Sequence, residues 1–498
     1  MTHSSHRMLR GGGILLPLAS LPGQYGIGDL GRTARRFIDF LHEAGITYWQ
    51  ILPASPVGYG YSPYQSPSAF AGNEWLIDLE MMVEPGWLRE DRLRSLGRAP
   101  DDDRIHYGHV REKKELLLRE AFINTPPAMR AGVQRYAETE DSWLKDYVRF
   151  RAIKDYYKGR PWYQWPRDIR HRMPDALRRY DEMLAEEMDF YRFCQYMFFW
   201  QWELLKTYAH EKHIKIIGDL PLYVSADSAD IWAYTDLFQL DATGRPAPVA
   251  GCPPDDFTPD GQIWGNPLYQ WERMAENKYT WWAIRMKKAR WMYDYIRIDH
   301  FRGFEAYWAV PADARSAVEG HWVQGPGESF FRAIHEAIGP VPWIAEDLGH
   351  LTASVHQLRD KLGIPGMRVL QFAFDGDSDN PYLPHNYTPH CVAYTGTHDN
   401  DTAAGWLAGA PADQRKKAIR YLALSPKETY HWGFIRGAWA SVANVAIAPM
   451  QDFLGLGSEA RINKPGTIGD NWQWMLKDHH LTPDLATKIR EINQLYGR

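Results

Sequence analysis

Cysteine is scarce in this chain of 498 residues, which has only Cys194, Cys252 and Cys391. An odd number of widely spaced cysteines argues against a disulfide framework, and no Cys-x-x-Cys or cysteine–histidine spacing indicates a metal site. Long apolar runs are also missing, since none approaches the roughly 18 residues of a membrane span. The first residues lack the apolar segment of a signal peptide. We therefore expect a reduced, cytoplasmic protein that does not enter a membrane.

Positive charge is not in excess, because 57 basic residues face 62 acidic ones and the formal net charge is −5. This balance excludes the overall basic footprint of a nucleic-acid-binding protein. One basic run, residues 167–179, could form a phosphate-binding patch, but its interspersed acidic and apolar residues favour a solvated helix face. We expect no nucleic-acid partner.

Aromatic residues, by contrast, are abundant: they make up 14% of the chain and include 22 tryptophans. Sugar rings have flat C–H faces that pack on aromatic rings, so this composition fits a carbohydrate-binding protein. Aromatic side chains also bury large areas in any protein core. Composition alone leaves both explanations open.

Short apolar runs recur along the chain, and each is followed by polar, proline- or glycine-rich residues. The eight runs are 13–16, 48–52, 214–217, 295–298, 341–345, 367–374, 391–394 and 444–448. Runs of this length that contain β-branched residues are typical of buried parallel strands. Helical patterns lie between several of them, for example at 33–44 and 352–362. The alternation predicts an α/β fold, a (β/α)₈ barrel with its chemistry at the carboxyl ends of the strands.

Two gaps between the runs are too long for simple crossover connections. Residues 61–180, after the second run, have mostly helical patterns, whereas residues 221–276, after the third, are rich in Pro, Asp and Gly and are expected to form an ordered loop over the barrel mouth. We expect one catalytic barrel domain over residues 1–498, with both insertions at its carboxyl-terminal face.

Acidic residues follow three of the predicted strands. After the fourth run, Arg297 and Asp299 are two residues apart and point to the same side of a strand, so the guanidinium can keep the carboxylate ionised. After the fifth, Glu346 follows an apolar stretch that can raise its pKa. After the seventh, Asp399 lies in a segment dense in hydrogen-bonding groups. Each acid alone could be structural, as an ion pair, a helix cap or a turn residue.

Together, the three acids converge on one barrel mouth, where two carboxyls are sufficient for glycoside cleavage and a third can stabilise the cationic transition state. A metal-dependent hydrolase is an alternative, with Asp299-His300 and His398-Asp399 as ligands, although such sites usually contain more histidines. A non-catalytic sugar-binding protein is another alternative, and it would not need all three acids.

These residues lie in strings that resemble the 4-α-glucanotransferases called amylomaltases or disproportionating enzymes, which are related to the α-amylases. The similarity covers nearly the whole chain and includes GILLPLASLPGQYGIGDLG, SPYQSPSAFAGN, GDLPLYVSADSADIW, PPDDFTPDGQIWGNPLY, RIDHFRG, AEDLG, GTHDNDT and RINKPGTIGDNWQWM. It implies transfer of part of an α-1,4-glucan, such as a maltodextrin or a starch or glycogen fragment, to a glucan or glucose acceptor. It implies no cofactor and no metal, and a monomer or homodimer.

The resemblance also implies roles for individual residues. Asp299 would be the nucleophile, Glu346 the general acid/base and Asp399 the stabiliser of the transition state. The implied substrate-binding residues are Asp219, Arg297 and His398 at the donor sugar, Gln262 and Trp264 in a loop over the cleft, Tyr59, Ser62 and Tyr64 along the glucan, and Asp375 on the acceptor side.

Three positions depart from the family pattern. Residues 17–20 read PLAS where the family opening is close to HPTS, Tyr61 replaces an aspartate, and Met475 replaces an arginine. None of these changes affects the three acids. They bear instead on acceptor preference and on the length of glucan that the enzyme selects.

Overall fold

The structure is a computed structural model that describes residues 8–95, 97, 100, 102–254, 259–349 and 351–498. Its strands are β1 (Gly11–Leu15), β2 (Tyr48–Gln50), β3 (Lys215–Leu220), β4 (Pro248–Cys252), β5 (Gln262–Pro267), β6 (Tyr295–Ile298), β7 (Ala306–Pro311), β8 (His321–Gln324), β9 (Trp343–Ala345), β10 (Gly366–Val369), β11 (Cys391–Tyr394) and β12 (Val445–Pro449). Eight of them close a parallel barrel in the order β1-β2-β3-β6-β9-β10-β11-β12. Each predicted apolar run overlaps one of these eight strands, so the (β/α)₈ prediction is confirmed.

The helices are α1 (Arg32–Glu43), α2 (Glu90–Ser95), α3 (Tyr107–Ile123), α4 (Pro127–Thr139), α5 (Asp141–Tyr156), α6 (Arg167–Arg170), α7 (Pro174–Met183), α8 (Ala185–Glu211), α9 (Ala229–Ala233), α10 (Trp271–Glu276), α11 (Thr280–Met292), α12 (Gly327–Ile338), α13 (Ala353–Leu362), α14 (Ala403–Gly409), α15 (Ala412–Tyr421), α16 (Tyr430–Trp439), α17 (Met450–Leu454) and α18 (Pro483–Leu495). Residues 61–180 contain α2 to α6 and most of α7. None of the helices in the described ranges is long and apolar enough to cross a membrane.

The barrel interior is filled by alternate strand residues, as the two-residue period of a strand requires. The completely buried residues of this inner cluster include Leu15, Ile217, Ile344, Met367, Val392 and Ile447. The register of the strands also aligns polar residues, because Asp219 on β3 lies opposite Arg297 on β6. Strand pairing therefore places an aspartate beside an arginine beneath the barrel mouth.

The basic run at 167–179 forms α6 and the beginning of α7. Its arginines pair with nearby carboxylates: Arg172 with Asp146 and Arg179 with Asp168. These pairs fit the expected solvated helix face.

A second, antiparallel sheet has the strand order β5-β4-β7-β8. Two of its strands, β4 and β5, lie within residues 221–276, where the sequence predicted loop; that local prediction was wrong. β4 pairs with β5 on one side and with β7 on the other, and β7 lies beyond residue 305, so part of the pairing of β4 is not visible in the local sequence. Helices α9 and α10 complete the segment.

Candidate active site

A buried arginine joins two carboxylates at the carboxyl ends of β3 and β6. The Nη1 atom of Arg297 donates to Asp219 at 2.7 and 2.8 Å and to Oδ1 of Asp299 at 3.0 Å. Arg297 is only 3% exposed, whereas the Asp299 side chain is 30% exposed and faces the barrel mouth. Burial raises the pKa of Asp219, and the Arg297 charge opposes that rise. Arg297 thus bridges the buried Asp219 and the accessible Asp299.

Glu346 follows β9 directly, and two backbone amides fix its carboxyl group. The amide of His300 donates to Oε2 at 2.8 Å, and that of Leu348 donates to Oε1 at 3.0 Å. Burial raises the pKa of Glu346 to about 7, with Arg297 opposing the rise and Asp299 adding to it. A carboxyl group with this pKa can both hold and release a proton near neutral pH, which suits a general acid/base.

Asp399 lies in the loop that follows β11, in a different electrostatic environment. Asn463 donates to its Oδ1 at 2.6 Å, and His398 Nε2 lies 3.3 Å from its Oδ2. Burial alone would raise the pKa of Asp399, but His398, Asn463 and Arg297 together lower it to about 2. Asp399 is therefore ionised at neutral pH.

Tyr64 connects the loop after β2 to both halves of the site. Its hydroxyl donates to Asp219 Oδ2 at 3.0 Å and lies 3.0 Å from His398 Nε2, and its ring stacks on His398 at 5.3 Å. Ser62 Oγ accepts from the Tyr64 amide at 3.3 Å, so Ser62 contacts the site through Tyr64. Tyr59 lies outside this network, on an outer turn where it is 79% exposed.

Gln262 and Trp264 lie on β5, at the edge of the small sheet. Trp264 Nε1 donates to Gln262 Oε1 at 3.0 Å, and the Trp264 ring meets His300 edge-on at 4.8 Å. Since the His300 amide also donates to Glu346, this edge of the sheet adjoins Glu346. Asp375 is exposed and accepts from Asn380 at 2.7 Å, and the structure does not join it to the three acids.

Sequence reasoning missed Asn463 and Trp472. The Trp472 ring packs against Tyr64 at 5.7 Å and His398 at 6.0 Å. Both residues lie in the string RINKPGTIGDNWQWM, which carried part of the resemblance, but no local pattern assigns them to the site. Among the described residues, no three His, Cys, Asp or Glu side chains cluster so as to hold a metal ion.

Comparison with known proteins gives concordant results. A family model described as 4-alpha-glucanotransferase matches residues 16–482. The chain is 48% identical to a 4-alpha-glucanotransferase of Thermus thermophilus, with 98% of each protein covered, and 47% identical to one of Clostridium butyricum, with 97% of this chain and 99% of the relative covered.

A solved structure agrees with these sequence matches. The amylomaltase from Streptococcus agalactiae in complex with acarbose superposes with a TM-score of 0.96 at 38% identity, covering 98% of this chain and 99% of that one. The family model, the relatives and this solved structure each match nearly the whole chain. The chain therefore belongs to the 4-alpha-glucanotransferase family and is a transferase of the glycoside hydrolase type.

Proposed function

We propose that the protein transfers a segment of an α-1,4-glucan by a retaining double displacement through a β-glucosyl-enzyme at Asp299. The main support is the environment of the acids. One carboxylate is accessible and held by Arg297, one carboxyl has its pKa raised to about 7, and one has its pKa lowered to about 2. A nucleophile, a general acid/base and a stabiliser of positive charge need these three environments.

In the first step, Glu346 donates its proton to the glycosidic oxygen while Asp299 attacks the anomeric carbon. The bond to the leaving glucan breaks as the ester bond to Asp299 forms. Positive charge develops on the sugar ring, and the ionised Asp399 stabilises it. The hydrogen bond from Arg297 orients the nucleophilic carboxylate.

In the second step, Glu346 is a carboxylate and accepts the proton of an acceptor 4-hydroxyl, which attacks the anomeric carbon and releases Asp299. The new bond is again α-1,4. Asp219, Arg297, His398 and Tyr64 would bind the donor sugar, because they form one hydrogen-bonded group beside the nucleophile. Gln262 and Trp264 would face the acceptor, with Tyr59, Ser62 and Asp375 further along the glucan.

Maltotriose alone tests transfer against hydrolysis. We expect maltodextrins longer than maltotriose to appear together with glucose, because a second sugar accepts the enzyme-bound segment. The product series is followed by chromatography, with the Glu346→Gln enzyme as the inactive control. Accumulation of only glucose and maltose would indicate a hydrolase, and unchanged maltotriose would indicate a binding protein.

The pKa of Glu346 predicts the pH dependence of the first step. The general acid must be protonated, and Glu346 with a pKa of about 7 loses its proton as the pH rises through that value. For a maltodextrin donor, we expect kcat/KM to fall about tenfold per pH unit on the alkaline side. α-Maltosyl fluoride is the control, since its leaving group needs little protonation. An equal alkaline fall for both donors would contradict the assignment.

Trp264 is our candidate for the residue that favours a sugar acceptor over water. Its ring lies against His300, next to Glu346, and only part of it is exposed. Orienting an acceptor hydroxyl can offset the molar excess of water. Trp264→Ala should raise the ratio of hydrolysis to transfer at least about threefold while leaving much of the glycosyl-enzyme formation intact.

The matched control for this variant is Trp322→Ala, which removes a 41%-exposed tryptophan from β8 of the same sheet. Its ratio of hydrolysis to transfer should equal that of the wild type. If folded Trp264→Ala also has the wild-type ratio, acceptor selection lies elsewhere, and Tyr59 is the next residue to test.

A further inference from the structure

Asp452 is a buried acid for which the reaction scheme has no role. It lies on the short helix α17, directly after the last barrel strand, and it is 0% exposed. Burial raises the pKa of Asp452 to about 6; the hydrogen bonds from Ala403 and Thr395 oppose that rise, and the nearby Asp401 adds to it. At neutral pH a large share of this buried carboxyl group is therefore ionised. Such a group is costly to bury unless its hydrogen bonds are strong.

The two bonds that Asp452 accepts come from the two ends of one loop. Thr395 Oγ1 donates to Oδ2 at 2.5 Å, and the Ala403 amide donates to Oδ1 at 2.7 Å. Thr395 is the first residue after β11, and Ala403 is the first residue of α14. The loop between them, residues 396–402, carries His398 and Asp399. One carboxylate thus holds both ends of the loop that presents the proposed transition-state stabiliser.

Other hydrogen bonds also hold the loop: the Thr395 amide donates to Ile447 O at 3.2 Å, and Gln371 Nε2 donates to Asp401 O at 2.7 Å. Each of these acts at one end of the loop, whereas the Asp452 carboxylate bridges both ends.

Further contacts fix the tip. Asn400 Oδ1 accepts from the amide of Thr397 at 2.9 Å, and Asn463 donates to Asp399 Oδ1 at 2.6 Å. These contacts orient Asp399 relative to residues 461–463. The distance of the whole loop from β6 and β9, where Asp299 and Glu346 lie, depends on its ends.

We propose that Asp452 is a positioning residue that holds the loop 396–402 so that Asp399 and His398 face the reacting sugar. The proposal rests on the proposed role of Asp399. It assigns no contact with substrate to Asp452, and it predicts an effect on the transition state that is larger than the effect on ground-state binding, because Asp399 acts on charge that develops in the transition state.

The test compares truncation with conservative substitution. Asp452→Ala removes both bonds, and we expect kcat to fall at least about tenfold with KM for maltodextrin within about twofold. Asp452→Asn can still accept from the Ala403 amide, and its amide group can donate to the Thr395 hydroxyl. It should recover most of the lost kcat. Unchanged kcat in folded Asp452→Ala would overturn the proposal.

Asp29→Ala is the matched control, because Asp29 is also buried and also accepts from a backbone amide and a threonine hydroxyl, those of Gly31 and Thr33. It lies before α1 and outside the network of the three acids. Both alanine variants should lower the melting temperature, but only Asp452→Ala should lower kcat. An equal loss of kcat in both would indicate general destabilisation and overturn the proposal.

If Asp452→Ala does not fold, Thr395→Val removes one of the two bonds and leaves Asp452 in place. We then expect kcat to fall at least about threefold in Thr395→Val. Wild-type kcat in this variant would overturn the proposal.

A double-mutant cycle with Asp399→Asn, measured with α-maltosyl fluoride, tests whether Asp452 acts on the rate through Asp399. If Asp452 acts through Asp399, adding Asp452→Ala to Asp399→Asn should change the rate less than twofold. The same factor in both backgrounds would overturn the proposal. Near-normal turnover of Asp399→Asn itself would instead remove Asp399 from the mechanism, which is a failure of the proposed function.

Discussion

Asp299→Asn is expected to lower kcat by about 10⁴-fold or more, because an amide cannot form the glycosyl ester through which both half-reactions of the proposed mechanism pass. The Arg297 Nη1 group that donates to Asp299 can still donate to the amide oxygen, so folding and glucan binding should be largely retained. The loss should be the same for maltodextrin and for α-maltosyl fluoride, since each donor needs the nucleophile.

The control for this variant is Asp294→Asn, at the opposite end of the same strand. Asp294 accepts from the Ile216 amide at 2.8 Å and from His210 at 3.0 Å, on the face of the barrel away from the acids. Residues on that face contribute to stability and not to chemistry. Asp294→Asn should lower the melting temperature and leave kcat unchanged. Near-normal turnover in Asp299→Asn would remove Asp299 from the mechanism.

Glu346→Gln is expected to lower kcat for maltodextrins by about 10²- to 10⁴-fold, the range that a general acid contributes. The glutamine side chain has one oxygen, so it can accept hydrogen bonds from the backbone amides of His300 and Leu348 only through that atom. It also has no acidic proton to donate to a glycosidic oxygen. Fluoride needs little protonation to leave. Glycosylation by α-maltosyl fluoride should therefore be much less affected than glycosylation by a maltodextrin.

This donor dependence distinguishes the two acids. Asp299→Asn should be inactive with both donors, whereas Glu346→Gln should release fluoride in a burst and then stall, because no base activates the acceptor hydroxyl. Fluoride release is measured with an ion-selective electrode, and the glycosyl-enzyme by intact-mass spectrometry. If Glu346→Gln turns over maltodextrin at the wild-type rate, Glu346 is not the acid/base.

Sequence alone was sufficient for the barrel and for the positions of the three acids. A strand buried on both faces leaves a short apolar run that can be read locally, and the polar residue that follows marks its carboxyl end. Asp299, Glu346 and Asp399 each follow such a run, so their convergence on one mouth was predictable once eight runs had been counted.

The tertiary structure decided which other residues join those acids. Tyr64, Asp219 and His398 share hydrogen bonds although more than 150 residues separate each from the next. Asn463 and Asp452 reach the Asp399 loop from positions after the last barrel strand, and β4 pairs with the distant β7 as well as with β5. A local sequence pattern indicates the type of a helix or strand, through its hydrophobic period, and the residue at which it ends. Contacts between residues distant in the chain exist only after barrel closure and strand register have set their distances, which is the physical reason that sequence could not supply them.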